Sequence, residues 1–205
     1  MRKAIVRIID YKAGNAPSVS HAVAHLGYGA SYAHNPQDLE DATHIILPGV
    51  GSAKATMDSL YEMGLIGALE NAVLKKKVLF LGICVGLQIL FDHSEEENTD
   101  CLGWLKGKVV KFDAPKVRVP QMGWNLVQFI KSAPCAANDD FFYFVNSYYA
   151  RQENESNLWG VADYNGQFAA AVHRDNIYAT QFHVEKSGKA GLALLNSFLS
   201  MKKGG

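Results

Sequence analysis

The sequence predicts an α/β protein, with a mostly parallel central sheet flanked by helices and an antiparallel-rich second half. Three observations lead there. Residues 3–9, 44–47 and 78–81 are short, largely apolar runs, the pattern of strands buried on both faces. Apolar residues at helical spacing fill the intervals between them. From residue 108 onward, six strand-like runs follow one another, separated by Gly, Asn, Asp and Pro rather than by helices.

Each element has its own signal. After the first strand, Val19, Ala22, Val23 and Leu26 recur at helical spacing, and Gly27 supplies a stop. The second strand ends in Pro48-Gly49-Val50-Gly51. Two helical segments follow, split near Gly64. The third strand leads into a helix continuing through Gln88-Ile89-Leu90-Phe91. The later runs are 108–112, 124–130, 141–149, 158–164, 168–173 and 177–182, with Asn165-Gly166 and Asp175-Asn176 as hairpin turns. A last helix spans about 189–201, its buried face carrying Leu192, Leu195, Phe198 and Leu199. No linker, repeat or low-complexity segment divides the chain, and 205 residues suit one domain, 1–205.

Composition excludes some functions. Lys+Arg and Asp+Glu number 20 each, which argues against a nucleic-acid binder or a polybasic membrane anchor, since both need surplus positive charge. A hydrophobic share of 48% with 20% charged residues fits a folded globular chain and not a disordered one. The three cysteines, Cys84, Cys101 and Cys135, form no C-x-x-C pair, so neither a disulfide framework nor a cysteine-rich zinc site is expected. Arg7 and Asp10 interrupt any signal-peptide core at the start, and the apolar stretch 79–91 is too short to span a membrane. The expected location is a reducing cytoplasm.

The chemistry is concentrated in Gly82-Ile83-Cys84-Val85-Gly86, where the third strand turns into a helix. This is a nucleophile elbow with sulfur in place of a hydroxyl. The glycines are needed because side chains two residues either side of the nucleophile would collide as strand and helix pack. A sulfur at a helix N-terminus sits at the positive end of the dipole, which favours the thiolate. The Val85 N–H would supply half an oxyanion hole. By composition, G-x-C-x-G arises in roughly 2% of shuffled chains, so its place at a strand-to-helix junction is specific.

A nucleophile needs a base, and the base an orienting group. His183-Val184-Glu185 follows the late strand 177–182, where an α/β sheet places such groups. H-x-E alone carries nothing, since roughly 0.3 matches are expected by chance; its value comes from the elbow. Pro48-Gly49-Val50-Gly51 ends a parallel strand one unit earlier and can line the same crevice. Elsewhere the plain readings prevail. His21 and His25 lie opposite the apolar stripe of their helix and lack a third ligand, so they belong to a solvated face. Lys75-Lys76-Lys77 reads as a helix C-terminus and Glu95-Glu96-Glu97 as a solvated turn. Phe141-Phe142-Tyr143-Phe144 and the 121–125 segment read as core by default. No phosphate loop or dinucleotide fingerprint is present.

Together these residues resemble the class I glutamine amidotransferases, whose fold is flavodoxin-like. Within that class they are most similar to the glutaminase subunits of imidazole glycerol phosphate synthases. The resemblance is carried by Ile9-Asp10-Tyr11 with Gly14-Asn15, Leu47-Pro48-Gly49-Val50-Gly51-Ser52, Gly82 through Gln88, and Met122-Gly123-Trp124-Asn125. Tyr143-Phe144-Val145 with Ser147-Tyr148-Tyr149, and Gln181-Phe182-His183 with Glu185-Lys186-Ser187, complete it. It implies that Cys84 attacks the side-chain amide of glutamine, with His183 as base and then acid, oriented by Glu185. Gly49, Val50, Gly51 and the Val85 N–H would form the oxyanion hole. Gly51, Gln88, Glu96, Ser147 and Tyr148 would hold glutamine. No organic cofactor or metal is implied. The implied partner is a (βα)₈-barrel cyclase that receives the ammonia and makes imidazole glycerol phosphate and an aminoimidazole carboxamide ribotide. It would dock around Asn15, Trp124, Asn125, Tyr143 and Lys186, and its ligand would switch the glutaminase on by rotating the peptide near Val50.

Some positions depart from the familiar pattern. Val184 stands where His-Pro-Glu is usual, which frees a backbone rotation beside the base. Asn146 and Gln121 replace usual histidines, and Lys12 and Ala16 a usual glycine and leucine. These departures bear on activation and partner coupling rather than on Cys84, His183 or Glu185. Three alternatives remain: the glutaminase of another amidotransferase, which residues 122–125 argue against, a cysteine hydrolase acting on esters, and a catalytically silent binding subunit.

Overall fold

The structure, a computed structural model, describes residues 4–11, 15–135 and 137–202. Lys3, Lys12, Gly14 and the terminal Lys203-Gly204-Gly205 lie outside the described residues. In chain order the first half comprises β1 (Val6–Ile9), α1 (Ala16–His25), β2 (Ala30–Ala33), β3 (His44–Gly49), α2 (Ala53–Glu62), α3 (Leu65–Leu69), β4 (Leu79–Cys84) and α4 (Val85–Gln88). The second half comprises β5 (His93–Ser94), β6 (Thr99–Asp100), β7 (Gly107–Lys111), β8 (Gln121–Phe129), β9 (Asp140–Asn146), β10 (Tyr148–Gln152), β11 (Leu158–Asp163), β12 (Gln167–Arg174), β13 (Ile177–Thr180) and α5 (Gly188–Ser200).

The parallel strands run β2-β1-β3-β4-β13. This is the order of a doubly wound sheet, in which ligands bind outside the carboxyl ends of the strands. The fifth parallel position is filled from the far end of the chain. β13 returns after the whole antiparallel half and pairs with β4, with Thr180 beside Ile83. Beyond β13 the neighbours β12, β10 and β7 are antiparallel, and β11 leads from β12 to β8 and β9. The expected hairpins form: β11–β12 turns through Asn165 and Gly166, and β12–β13 through Asp175 and Asn176. β3 and β4 are buried along their whole length, as their continuous apolar runs require. Ile45, Ile46, Leu47, Phe80 and Leu81 form the centre of the core, each such side chain worth about 1.5–3 kcal/mol when fully buried.

Several expectations need correction. The helix after the elbow was expected to continue through Phe91, but α4 stops at Gln88. The carbonyls of Ile89, Leu90 and Phe91 are taken by the N–H groups of Leu102, Leu105 and Gly103, so a returning loop replaces the next turn. The run 141–149 is two strands. It breaks at Ser147, where the Asn146 amide bonds the Tyr148 carbonyl at 2.9 Å and the chain changes partners from β8 to β7. In α5 the buried face carries Leu194 with Leu195, Phe198 and Leu199, while Leu192 is only partly buried. β2, β5 and β6 were not foreseen; they are short or largely exposed and carry little apolar signal. Phe142 and Phe144 are core, as expected. Met122, Trp124 and Phe141 are instead exposed, because the two-residue period of β8 and β9 turns alternate side chains outward.

The elbow is where packing is tightest. A Cβ on Gly82 would come within 2.4 Å of the Gly86 carbonyl oxygen. One on Gly86 would come within 2.1 Å of the Leu47 carbonyl oxygen on β3. The collision at Gly82 is the expected strand-to-helix one, whereas Gly86 is required by the neighbouring strand. Replacing Gly86 by Ala is therefore expected to cost on the order of 3 kcal/mol in urea unfolding. Gly67→Ala on the exposed side of α3, where a Cβ meets nothing within 4 Å, is expected to gain about 0.5–1 kcal/mol.

Candidate active site

Three parallel strands deliver the site at their carboxyl ends. β4 ends in Cys84, whose backbone sits at φ 57°, ψ −107°, a conformation rarely adopted by a non-glycine residue. β3 ends in Gly49, in register beside Cys84. β13 leads through Gln181 and Phe182 to His183. The His183 imidazole lines the same cavity as Cys84 and interacts with its sulfur, and its Nδ1 lies 2.8 Å from Glu185 Oε1. Asn15 Nδ2 donates to the same carboxylate oxygen at 2.7 Å. Glu185 Oε2 is buried without a partner among the described residues.

These contacts set the charges. Burial disfavours the His183 imidazolium, but the hydrogen bonds and charges of Cys84 and Glu185 outweigh it and push its pKa up from 6.5 to about 10. Burial would raise the Glu185 carboxyl. Its contacts with His183 and the Asn15 amide instead hold it below the usual 4.5. Cys101 and Cys135 are pushed up to about 12, by burial first, which makes them poor nucleophiles. Val184 does not disturb the geometry. It is buried, and a 3₁₀ turn over Val184–Lys186 sets the two-residue spacing that brings His183 and Glu185 together.

A cavity of about 310 Å³ opens at Cys84, near the small end of the roughly 300–1,000 Å³ found for ligand pockets. Val50, Gly51, Val85, Gln88, Glu96, Ser147, Tyr148, His183 and Lys186 line it. Val85 opens α4, so its N–H has no acceptor within the helix. The Val50 main chain lies close to the phenol of buried Tyr11, whose oxygen accepts from Thr56 Oγ1 at 3.4 Å. Burial keeps that phenol at about 12. Glu96 was read as a solvated-turn residue with a second role at the pocket. It is half-buried, accepts from the Ala53 N–H at the start of α2 at 2.8 Å, and its pKa is raised by burial.

The remaining expected residues divide. Trp124 and Tyr143 are cross-strand partners with ring centroids 5.9 Å apart, and Trp124 is exposed. Lys186 is exposed at the cavity rim. Asn15 stands behind Glu185. Asn125 faces the other side of β8 from Trp124, where it donates to the Asp163 carbonyl at 2.8 Å. Gln121 and Asn146 lie opposite one another in the β8/β9 register, both buried. Each has a side-chain amide oxygen without a partner among the described residues.

Two contributors were quoted in motifs but given no role. Gln181 contacts the Cys84 sulfur. Ser187 Oγ donates to the His183 carbonyl at 2.6 Å and accepts from the Tyr143 N–H at 3.0 Å. A polar residue at the end of an apolar run, two before the base, was the available signal for Gln181. Among the described residues no group of three or more His, Cys, Asp or Glu is arranged to hold a metal, and no helix is long and apolar enough to cross a membrane. His21 and His25 are exposed.

A sulfur nucleophile on an elbow, an imidazole held by a carboxylate, and donors around a small cavity can together transfer an acyl group. A family model described as glutamine amidotransferase class-I matches residues 7–201, and the chain belongs to that family. It is 41% identical over 204 residues to the imidazole glycerol phosphate synthase subunit HisH of Leptospira interrogans, covering 96% of this chain and all of that one. The subunit of the same name from Neisseria meningitidis serogroup A is 42% identical over 209 residues, covering 94% of this chain and 98% of that one. The fold matches the crystal structure of a glutamine amidotransferase with a TM-score of 0.76 at 18% identity, over 96% of this chain and 97% of that one.

The raised His183 has a consequence for stability. Its contribution is fully present below pH 6.5 and is lost as the pH climbs toward about 10, whereas that of Glu185 is present above 4.5 and lost on acidification. In Glu185→Gln the His183 imidazole should titrate closer to 6.5, as followed by its carbon-bound proton resonances. The alkaline loss of stability in urea melts should shift down with it. A titration unchanged by the substitution would mean that Glu185 does not hold the imidazolium.

Proposed function

We propose that this chain is the glutaminase subunit of an imidazole glycerol phosphate synthase. It hydrolyses glutamine to glutamate and ammonia and supplies the ammonia to a (βα)₈-barrel cyclase of histidine biosynthesis. One observation carries the reading: the Cys84, His183 and Glu185 array opens on a cavity of about 310 Å³, in a chain matched nearly end to end by subunits of that name. In this reading the chain is one amidotransferase domain over residues 1–205, works in the cytoplasm, and needs no organic cofactor or metal.

Glutamine lies in the cavity with its side-chain amide against Cys84. The sulfur forms a bond to the amide carbon, and the carbonyl electron pair moves onto oxygen. The Val85 N–H and the turn Gly49-Val50-Gly51 receive that oxyanion. His183 gives its proton to the amide nitrogen, the carbon–nitrogen bond breaks, and ammonia leaves. Water then attacks the γ-glutamyl thioester with His183 as base, releasing glutamate and restoring the resting pair. Glu185 keeps the imidazole oriented through Nδ1. Gly51, Gln88, Glu96, Ser147 and Tyr148 hold the substrate. The acidic rim of Glu95, Glu96 and Glu97, which raises the Tyr148 phenol after burial does, suits the α-ammonium of an amino acid.

The cyclase would cover the exposed face of β8 and β9, where Met122, Trp124, Leu126 and Phe141 form an apolar surface with Tyr143. Asn15, which donates to Glu185, and Lys186, the next residue in the chain, would report docking to the base. Asn125 would support the ribbon from behind. Activation would rotate the peptide near Val50 so that an N–H meets the oxyanion.

Glutamate release should rise when a cyclase partner and its ribonucleotide ligand are added, and Cys84→Ala should lower it at least about 10³-fold. No Cys84-dependent glutamate in any condition would sink the glutaminase reading. Trp124→Ala is expected to weaken cyclase binding by about 2 kcal/mol, roughly 30-fold, in titration calorimetry.

A further inference from the structure

We propose that Gln181 is a further catalytic group of this site, donating a side-chain N–H to the Cys84 sulfur in an orientation dictated by the Tyr148 carbonyl through Gln88. The proposal rests on the reading of Cys84 as the nucleophile.

Gln181 is 0% exposed and stands behind the cavity, between the end of β13 and His183. Its Nε2 lies 3.6 Å from Cys84 Sγ. Its Oε1 accepts from Gln88 Nε2 at 3.1 Å, and the same nitrogen of Gln88 donates to the Tyr148 carbonyl at 3.0 Å. Its backbone N–H is tied to the Ala170 carbonyl at 2.8 Å, so the side chain starts from a fixed point.

The polarity of this chain follows from one atom. A backbone carbonyl can only accept, so Gln88 must turn its nitrogen to Tyr148. The second hydrogen of that nitrogen then requires an acceptor, which is Gln181 Oε1. The Gln181 nitrogen is left facing the sulfur. Flipping Gln181 would set two amide nitrogens against each other and an oxygen against a thiolate. Buried amides pay a high cost for such mismatches, so the orientation is stable.

Two consequences follow. A donor aimed at the sulfur favours its anionic form and holds it on the side from which it faces the cavity. Gln88, with both amide hydrogens turned inward, offers the cavity only its oxygen, so it binds an N–H of glutamine and not a carboxylate. The substrate-binding residues and the nucleophile are thereby one hydrogen-bonded unit. The titratable groups facing Cys84 are His183, backed by Glu185, and Tyr11.

Iodoacetamide alkylation of Cys84 as a function of pH, followed by mass spectrometry, tests this without relying on glutaminase activity. Gln181→Met keeps the length and removes the donor. Its alkylation midpoint should rise by about one pH unit, cutting the rate about tenfold at pH values well below the parent's midpoint. Gln181→Glu keeps an acceptor for Gln88 but sets a carboxyl group where the amide nitrogen faces the sulfur. It should slow alkylation likewise while leaving the KM for glutamine closer to that of the parent than Gln181→Met does. In the unmodified chain, the Gln181 side-chain amide resonances should move through the same midpoint as alkylation, which covers the case in which neither variant folds. Midpoints that coincide with the parent, or amide resonances that stay flat through the midpoint, would overturn the role of Gln181. Loss of glutaminase activity in the parent with alkylation behaving as described would instead strike the functional reading alone.

Discussion

Everything in the site depends on the contact between Gly86 and the Leu47 carbonyl. Two backbones meet there without a side chain between them, and a single methyl group would sit 2.1 Å from the oxygen. That closeness lets α4 start directly against β3, which puts the Val85 N–H and the Gly49 turn on the same side of the sulfur. Parallel pairing does the rest. β4 lies between β3 and β13, so the Gly49 turn reaches Cys84 from one neighbour and His183 from the other. A slip of one residue in either ladder would turn these groups to the opposite face.

The second organising feature is a buried chain of polar contacts running through the base. Asn15, Glu185, His183, Cys84, Gln181, Gln88 and the Tyr148 carbonyl follow one another, drawn from both halves of the sequence. Partnered burial of this kind is costly to interrupt, because each group left over is stranded away from water. It also explains why Val184 is tolerated where a proline is usual. The ring would fix one backbone angle. Here Ser187 Oγ on the His183 carbonyl, and Val184 O packed where a Gly191 side chain would be, hold the same turn from outside.

The parallel half was legible because strands buried on both faces cannot hide: 45–47 and 78–81 are apolar throughout, and the elbow motif needs its junction. Less legible were features decided by remote partners. Nothing local ends α4 at Gln88; the loop at Leu102, Gly103 and Leu105 does so by taking its carbonyls. Nor does composition distinguish Trp124 from Phe142, since both lie in aromatic-rich strands and only the covering of one face separates them. Glu96, Asn15 and Gln181 were hardest, because each acts through a residue distant in sequence. Charge balance was uninformative at first. It fits a small zwitterionic substrate and a neutral product, for which no large field is required.

The β8/β9 ribbon ties the outer surface to the chemistry more directly than its position suggests. Tyr143 presents its ring beside Trp124 on the exposed face. Its backbone carbonyl accepts the His183 N–H at 3.0 Å, and its N–H is held by Ser187 Oγ, which in turn holds the His183 carbonyl. Both backbone groups of the base are therefore hung on the strand proposed to receive the cyclase. In the proposed complex, a cyclase pressing on that face would move the peptide of Tyr143, and with it the main chain that positions His183. No long relay is needed for such a signal, because partner surface and base share one residue. Coupling through Tyr143 would act on the base, and rotation at Val50 on the oxyanion. A partner bound to one ribbon can in this way bias both ends of the bond being broken.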